Sequence, residues 1–182
     1  MSRALEVVGD RWALLVVREL TAGPRRYSDL FADLPGISTD VLAARLKELE
    51  REGILTRRRV GPRATTALYE LTAAGAGLRP VLEALSVWGT PLLGERRTTD
   101  AVRAHWLALP LGRAVAEVVS TGTVTVHIGE TTFHYVITGS GLTHHDGAAV
   151  EPDLEVRLDL DLATAIARGT RELSEVLAES RH

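Results

Sequence analysis

Two short segments with helical spacing of their apolar residues are joined by a Pro-Gly turn early in the chain. The first covers residues 28–34 and is closed by Pro35 and Gly36. The second has Ser38 as a favourable N-cap and Gly53 as a favourable stop. Two short helices joined by a tight turn are typical of a helix-turn-helix unit. The pattern therefore predicts a small, mainly helical domain in the first half of the chain.

The second of these helices has two different faces. Leu42, Leu46 and Leu49 recur at helical spacing and form the buried stripe. The opposite face is small and polar, which suits a helix that enters a DNA major groove, because bulky side chains would hold it away from the base edges. We therefore predict a recognition helix at residues 38–52. Its outward residues are Asp40, Ala43, Ala44, Lys47 and Arg51, with Thr39 in the exposed first turn.

Helical segments also lie on both sides of this unit. Asp10 is placed to cap a helix whose apolar run, residues 12–20, belongs at the centre of the domain. The later segment, residues 72–93, contains Pro80, which implies that a helix begins or kinks there. Core packing explains its apolar stripe, but the domain is small, so we expect part of the stripe to meet a second subunit. The stripe consists of Leu78, Val81, Leu82, Leu85, Trp88 and Leu92.

A basic hairpin separates the recognition helix from the later helical segment. Residues 54–60 and 67–71 are the predicted strands, with Gly61 and Pro62 as the turn. Isolated arginine runs are usually solvated, but a basic loop directly after a helix-turn-helix is what a contact to DNA phosphates or the minor groove needs. We therefore expect the hairpin to contact DNA through Arg57, Arg58, Arg59 and Arg63.

Charge is distributed unevenly along the chain. The formal net charge is −3, but residues 1–97 carry +3 and residues 98–182 carry −6. Such asymmetry indicates two domains with different partners. Residues 94–100 form a polar joint between them. We predict a DNA-binding and dimerisation domain over residues 1–93 and a second domain over residues 101–182.

Composition excludes several classes of function. The chain has no cysteine, so thiolate chemistry, disulfides and cysteine zinc sites are excluded. No phosphate-binding glycine loop, nucleophile elbow or paired-carboxylate motif is present, and we expect no enzymatic activity, cofactor or metal. Charges interrupt every long apolar run, which predicts a cytoplasmic protein without a membrane partner.

The second half changes to a period of two. Apolar side chains alternate with polar ones over residues 123–128, and a two-residue turn at Gly129 and Glu130 places Phe133, Tyr135 and Ile137 on the same apolar face. Further strands are predicted at 142–145 and 154–160. A helix from residue 101, interrupted at 110–112, precedes the strands, and helices at 162–167 and 172–179 follow. The fold class is α+β, a winged helix-turn-helix domain followed by an antiparallel sheet covered by helices.

A sheet covered on one face by helices can enclose an apolar cavity. The alternative is a filled core that serves as a spacer or dimer clamp. A regulator without a thiol still needs an input, which favours a pocket for a small hydrophobic or aromatic ligand. The lining candidates are Trp106, Val126, Phe133, Tyr135 and Leu158.

Four histidines on the predicted strands raise the question of a metal site. They lack helical spacing and an accompanying carboxylate cluster, which zinc and copper sites commonly show. We therefore interpret them as solvated surface side chains. They are His127, His134, His144 and His145.

The first half resembles the HxlR family of winged-helix regulators, relatives of the MarR type. The resemblance covers about residues 2–93, in order and at the family spacing. Many members carry a cysteine before the first helix, and some use it as an electrophile sensor; Met1, Ser2 and Arg3 stand there in this chain. The matching stretches are ALEVVGDRW (4–12), GPRRYSDL (23–30), LPGIS (34–38), LAARLKELE (42–50), YELTAAG (69–75) and LRPVLEAL (78–85).

The HxlR resemblance implies a homodimer held by the first helix, residues 2–8, and the last, residues 74–93. It also implies that Ser38, Thr39, Asp40 and Ala43 face bases while Arg26, Lys47 and the hairpin arginines join the DNA contact. Asp40 has two possible roles, since a carboxylate accepts from cytosine N4 or stabilises the helix N-terminus. The expected dimer contacts are Leu5, Val8, Leu78, Val81, Leu82, Leu85 and Trp88.

The second half is similar in its order of elements to sterol-carrier-protein-like domains. The similarity covers roughly residues 101–180 and is carried by EPDL (151–154) before a strand and AIARG (165–169) after it. Such domains close with one more strand, whereas this sequence stops at Ser180, Arg181 and His182. We expect a more open cavity or a sheet edge that a partner covers.

Two functions follow from these observations. The first is a ligand-responsive transcriptional regulator that binds a pseudo-palindromic operator in double-stranded DNA as a homodimer. The alternative is a carrier or scavenger of a small hydrophobic molecule with only residual DNA binding. The basic hairpin and the groove-facing helix favour the first.

Overall fold

The computed structural model describes residues 1–59, 66–93, 101 and 103–179, and confirms a mixed α+β chain. The chain divides into two compact units, Met1–Leu82 and Glu83–His182. This division falls within a helix, whereas the sequence places the joint at residues 94–100, outside the described residues. The hairpin turn at Gly61 and Pro62, together with Arg63, also lies outside them.

The first unit is built around the predicted helices. Leu42, Leu46 and Leu49 are at most 2% exposed, which confirms the buried stripe of the predicted recognition helix. Burying three leucines contributes roughly 1.5–3 kcal/mol each. The helices of this unit are α1 (Ser2–Val8), α2 (Arg11–Leu20), α3 (Tyr27–Asp33), α4 (Thr39–Arg51) and α5 (Ala73–Ala76). Helix α6 (Arg79–Gly89) spans the division between the two units, and a 3-10 turn follows it at Thr90–Leu93.

Side-chain caps start α2 and α4 where the sequence predicts. The Asp10 carboxylate accepts hydrogen bonds from the backbone N–H groups of Trp12 at 2.9 Å and Ala13 at 3.3 Å. The Ser38 hydroxyl accepts from the Val41 N–H at 3.3 Å. Each cap satisfies donors that the first helical turn leaves without a partner, so it fixes the residue at which the helix begins.

A three-stranded sheet completes the first unit. Its strands are β1 (Arg25–Arg26), β2 (Leu55–Arg59) and β3 (Ala67–Leu71), in the order β1-β3-β2. The predicted hairpin strands are thus confirmed. The sequence gives no sign of β1, because a two-residue strand is too short to show a period.

The second unit contains a four-stranded sheet. Its strands are β4 (Gly122–Ile128), β5 (Thr131–Thr138), β6 (Gly141–Asp146) and β7 (Leu154–Leu158), in the order β6-β5-β4-β7. Val126 pairs with Phe133 and Val124 with Tyr135, so the predicted two-residue hairpin and its register are confirmed.

The expectation of a wholly antiparallel sheet is wrong, because β7 pairs with β4 in parallel. Since β6 and β7 run in the same direction at opposite edges, the connection between them, residues 147–153, crosses a sheet face. It crosses the polar face, where the Ala149 N–H donates to the Thr125 hydroxyl at 3.1 Å. At its end, the Asp153 N–H donates to the Thr123 carbonyl at 2.9 Å. This connection leaves Thr125 fully buried.

Helices pack on the opposite, apolar face. A 3-10 turn at Ala104–Leu107 leads into α7 (Ala108–Val118), and α8 (Leu160–Ala167) and α9 (Leu173–Glu179) end the described chain. The predicted interruption at Pro110 is wrong. Pro110 lies in the first turn of α7, where its missing N–H costs no helical hydrogen bond.

None of the described helices has the length and apolar character needed to cross a membrane.

Candidate nucleic-acid interface

The predicted recognition helix presents its small, polar face to solvent. Thr39, Asp40, Ala43, Ala44 and Lys47 are all exposed, while the leucine stripe on the other side of α4 packs into the unit. A short side chain at two successive outward positions leaves the helix backbone accessible to a close partner. This arrangement can place helix and side chains against base edges in a major groove.

The start of α4 is held from two sides. Ser38 is exposed and caps the helix through its hydroxyl. The Tyr27 hydroxyl, from the first residue of α3, donates to the Thr39 carbonyl at 2.9 Å. The first turn, which carries three predicted base contacts, is thereby fixed relative to α3.

Val41 is an exposed residue of α4 that the sequence analysis did not assign to the site. Its side chain lies in the first turn and is 38% exposed, although the next residue, Leu42, is fully buried. Helical spacing alone leaves the exposure of Val41 open, because this residue stands at the edge of the Leu42-Leu46-Leu49 stripe.

Charges along α4 are arranged mostly in local pairs. Arg45 pairs with Glu48 and lies 3.9 Å from the Asp10 carboxylate, and Arg51 pairs with Glu52 at 3.0 Å. Among the residues that the structure describes, Lys47 makes no ion pair. Lys47 is therefore the cation on this face with the least competition for a DNA phosphate.

The hairpin arginines project from both faces of the sheet. Arg57 is opposite Tyr69, and its guanidinium lies 5.9 Å from that ring centroid. Arg58 is opposite Leu68 and forms an ion pair with Glu70 at 3.3 Å. Because strand residues alternate between faces, Arg57 and Arg59 share one face and Arg58 lies on the other. The three arginines therefore cannot all contact consecutive phosphates of the same DNA strand.

Arg26 shares the face of Arg58. Both residues are opposite Leu68 in the three-stranded sheet, one from β1 and one from β2. Two strand spacings put their backbones about 10 Å apart. Both side chains are exposed, so this sheet face presents one cation on each side of Leu68.

An exposed apolar stripe runs along α6 and beyond it. Val81, Leu85, Trp88 and Leu92 are 45%, 43%, 69% and 67% exposed and recur at helical spacing. Leu5 on α1 is also exposed. Monomeric proteins rarely expose contiguous apolar surface of this kind without a partner.

Two predicted dimer contacts have a different environment. Val8 and Leu82 are buried within the chain, at 8% and 6% exposure. Leu78 is half-buried. Val8 and Leu82 therefore belong to the core, and the surface available to a partner narrows to the exposed members of the set, Leu5, Val81, Leu85 and Trp88.

Four of the five ligand candidates come together in the core of the second unit. Val126, Phe133, Tyr135 and Leu158 are at most 7% exposed and belong to one apolar cluster. The Phe133 and Tyr135 rings pack edge to face with centroids 5.6 Å apart. Trp106 lies in the 3-10 turn before α7 and is half-buried.

Helix α7 approaches this cluster closely. The Tyr135 hydroxyl donates to the Ala108 carbonyl at 2.7 Å, and complete burial raises the pKa of Tyr135 well above its ordinary value. A methyl group added at Gly112 would lie 3.2 Å from the Leu142 side chain and 3.6 Å from the Tyr135 ring. Close packing at Gly112 leaves no room for a ligand between that turn of α7 and the sheet.

The histidines do not share one environment. His134 and His145 are opposite each other on the polar face and stack at 5.3 Å. His144, predicted as a surface residue, is only 4% exposed. It is opposite Tyr135, so strand alternation turns it toward the apolar face, where its ring lies 6.4 Å from that of Tyr135.

Comparison with known proteins places the first half in a regulator family. The family described as HxlR-like helix-turn-helix matches residues 7–97. YvaP of Bacillus subtilis strain 168, an uncharacterized HTH-type transcriptional regulator, is 39% identical over 48% of this chain and 82% of its own length. YodB of the same strain, an HTH-type transcriptional regulator, is 34% identical over 48% of this chain and 79% of its own length. These relatives are transcriptional regulators rather than enzymes.

Solved structures show similarity over the same share of the chain. The reduced form of YodB from B. subtilis has a TM-score of 0.46 and 31% identity, over 53% of this chain and 95% of that one. The redox regulator HypR in its oxidized form has a TM-score of 0.48 and 26% identity, over 53% and 97%. The family match ends at residue 97, so it assigns nothing to the sheet and helices that follow.

Proposed function

The chain belongs to the HxlR-like helix-turn-helix family, and we propose that it is a sequence-specific, DNA-binding transcriptional regulator that acts as a homodimer. In this proposal α4 lies in the major groove of each operator half-site. The basic hairpin contacts the DNA backbone or the minor groove beside it. Half-sites about one helical turn apart, roughly 34 Å, suit a two-fold dimer.

The exposed face of α4 is the observation that carries the proposal. A helix whose leucine stripe is fully packed has its small and polar residues free on the opposite side, and its first turn is fixed by the Ser38 cap and by Tyr27. Because the first turn of α4 is already fixed, ordering its contact residues on binding costs less entropy. Thr39, Asp40 and Ala43 are the base contacts that we propose, with Ser38 at the edge of the groove.

Phosphate contacts then come from cations that flank this helix. Lys47 is exposed on α4, and Arg26 and Arg58 share one sheet face. Contacts of this kind fix the register of a protein on the duplex without carrying sequence information. Arg57 and Arg59 are on the other sheet face and serve a different stretch of the DNA backbone. Arg63, outside the described residues, keeps its place in the proposal as a hairpin cation.

The exposed stripe of α6 supports a dimer. Val81, Leu85 and Trp88 present apolar side chains along one side of α6, the helix that follows the basic hairpin and the short helix α5. A second copy of the same stripe is the partner that a two-fold symmetric operator requires. Leu5 on α1 is exposed as well, and we propose that it also takes part in the dimer contact.

The second unit is the sensor in our proposal, with a small hydrophobic or aromatic molecule as its ligand. The support is chemical: the apolar cluster contains Tyr135, and the buried His144 is opposite Tyr135 in the neighbouring strand β6. Since the side chains are closely packed at Gly112, ligand entry requires them to separate. The same packing disfavours the carrier alternative, which depends on a cavity that is open before the ligand arrives.

The proposal is tested by selecting duplexes from a randomised pool and measuring their affinity by fluorescence anisotropy at two salt concentrations. A regulator binds the selected duplex at nanomolar concentration, with at least about a thousandfold preference over a scrambled duplex. Thr39→Ala should relax base choice at one position of each half-site. Equal, salt-sensitive binding to all duplexes at micromolar concentration would exclude sequence-specific regulation.

A further inference from the structure

The stability of the fold explains Val41 only in part. It lies at the third position of α4, its side chain is 38% exposed, and the leucine that follows it fills the core. A β-branched residue at an exposed helical position is a poorer helix former than alanine or glutamate. Helix propensity therefore does not favour a valine at this position, and partial burial leaves more than a third of its surface open to a partner.

Helix capping does not explain Val41 either. In α3 of the same chain, the third residue is Asp29, whose carboxylate accepts a hydrogen bond from the Arg26 N–H at 3.2 Å. A glutamate or glutamine at the third position of α4 would complete the equivalent capping box with Ser38. Val41 occupies that position with a side chain that cannot accept a hydrogen bond.

The position of Val41 suits a contact in the major groove. Helical spacing puts it beside Ala44, on the flank of the exposed face. Because Ala43 and Ala44 are short, the helix can approach the base edges closely enough for Val41 to touch them. The thymine C5 methyl is the apolar group that the major groove presents, and aliphatic side chains contact it.

We infer that Val41 is a specificity-determining residue that contacts the C5 methyl of one thymine in each operator half-site. The inference rests on the proposed function, since it assumes that α4 enters the groove. It adds an apolar contact to the polar contacts of Thr39 and Asp40, and it predicts that the operator contains a thymine where those residues do not require one.

The experiment removes the methyl group from the DNA and the side chain from the protein. Each thymine of the selected duplex is replaced in turn by deoxyuridine, which lacks the C5 methyl. Wild-type protein should lose affinity about fourfold at one position per half-site, the effect of one buried methyl group. Val41→Ala should bind thymine and deoxyuridine duplexes with equal affinity at that position. Alanine is a better helix former than valine, so the variant keeps its fold.

A matched control and two distinct failures make the test decisive. Val150→Ala makes the same chemical change at a valine that is 99% exposed in the second unit, and it should keep the wild-type deoxyuridine penalty. If specific binding is observed but Val41→Ala retains that penalty, or no thymine is sensitive, the contact is refuted and the regulator function stands. If no duplex is selected at all, the proposed function fails and the Val41 contact fails with it.

Discussion

The hydroxyl of Tyr27 donates a 2.9 Å hydrogen bond to the backbone carbonyl of Thr39. The bond joins the first residue of α3 to the first residue of α4. It fixes the turn of the recognition helix that carries the proposed base contacts. The position of the helix that we propose for the major groove therefore depends on a side chain that itself needs no contact with DNA.

Tyr27→Phe removes this bond and little else. We expect a loss of about 1 kcal/mol in unfolding free energy and a roughly fivefold lower affinity for the selected duplex, because the first turn of α4 becomes less fixed. Urea unfolding and fluorescence anisotropy measure the two effects. Tyr69→Phe is the control, since the structure gives the Tyr69 hydroxyl no hydrogen bond within the described residues. Equal affinities for the two variants would show that the bond does not position the helix.

Removing the charge of Arg58 or that of Glu70, which form an ion pair, should change DNA affinity in opposite directions. Arg58→Ala should weaken binding to all duplexes alike and reduce the salt dependence of log K by about one unit. Glu70→Gln releases Arg58, so it should tighten binding and leave the salt dependence equal or steeper. Anisotropy at several salt concentrations distinguishes the signs. If neither variant changes the salt dependence of log K, Arg58 does not contact a phosphate.

The free energy of unfolding should change by less than about 1 kcal/mol in each variant, because the Arg58–Glu70 pair is exposed.

The α6 stripe predicts the oligomeric state. Trp88→Glu places a charge at a residue that is 69% exposed on the stripe, and it should convert the dimer to a monomer in light-scattering chromatography. Operator affinity should fall roughly 100-fold, since the second half-site is then no longer linked to the first. Val87→Glu alters an exposed valine on another side of the same helix, and it should stay dimeric. A dimeric Trp88→Glu protein would place the interface elsewhere.

Asp153 predicts a pH dependence for the second unit. Hydrogen bonds from the Thr123 N–H and hydroxyl, at 2.7 Å and 3.1 Å, lower the pKa of Asp153 from its ordinary 3.8. A lowered folded-state pKa stabilises the protein above the unfolded-state pKa, and the stabilisation is lost as the pH falls through the folded-state value. The urea midpoint should therefore decrease as the pH falls through the ordinary value of 3.8 toward the lowered folded-state pKa.

Asp153→Asn should flatten that decrease, because an amide does not titrate. Glu151→Gln, two residues earlier, should keep the wild-type profile. Identical profiles for all three proteins would mean that Asp153 does not contribute to the acid sensitivity of the second unit.

The sequence predicts those features that depend on neighbouring residues. Asp10 and Ser38 predict the first residues of α2 and α4, because a capping side chain binds backbone N–H groups within three positions. The Gly129-Glu130 turn predicts the register of β4 and β5. Features that depend on distant pairing could not be predicted. The parallel direction of β7 is set by a connection across the sheet, and β1 exists only because β3 supplies its partner.

The candidate interface also combines features that the sequence predicts with features that depend on distant contacts. Helical spacing identifies the outward face of α4 from the sequence, but it places Val41 at the flank, where exposure depends on how the neighbouring helices pack. The pairing of Arg58 with Glu70 also depends on strand register. The prediction of His144 as a surface residue is wrong for the same reason, because the sheet face on which it lies is set by its pairing with Tyr135.

Ala43 and Ala44 stand at the centre of the groove-facing surface and are exposed, so they contribute little to the packed interior of the unit. Substitutions at these two positions are therefore nearly free of a folding cost. A lineage that carries this scaffold can exchange them and acquire a new operator preference while every leucine of the stripe stays in place. Mutational freedom and the proposed base contact coincide on one face of a single helix, which is the condition under which the target genes of a regulator can change faster than its fold.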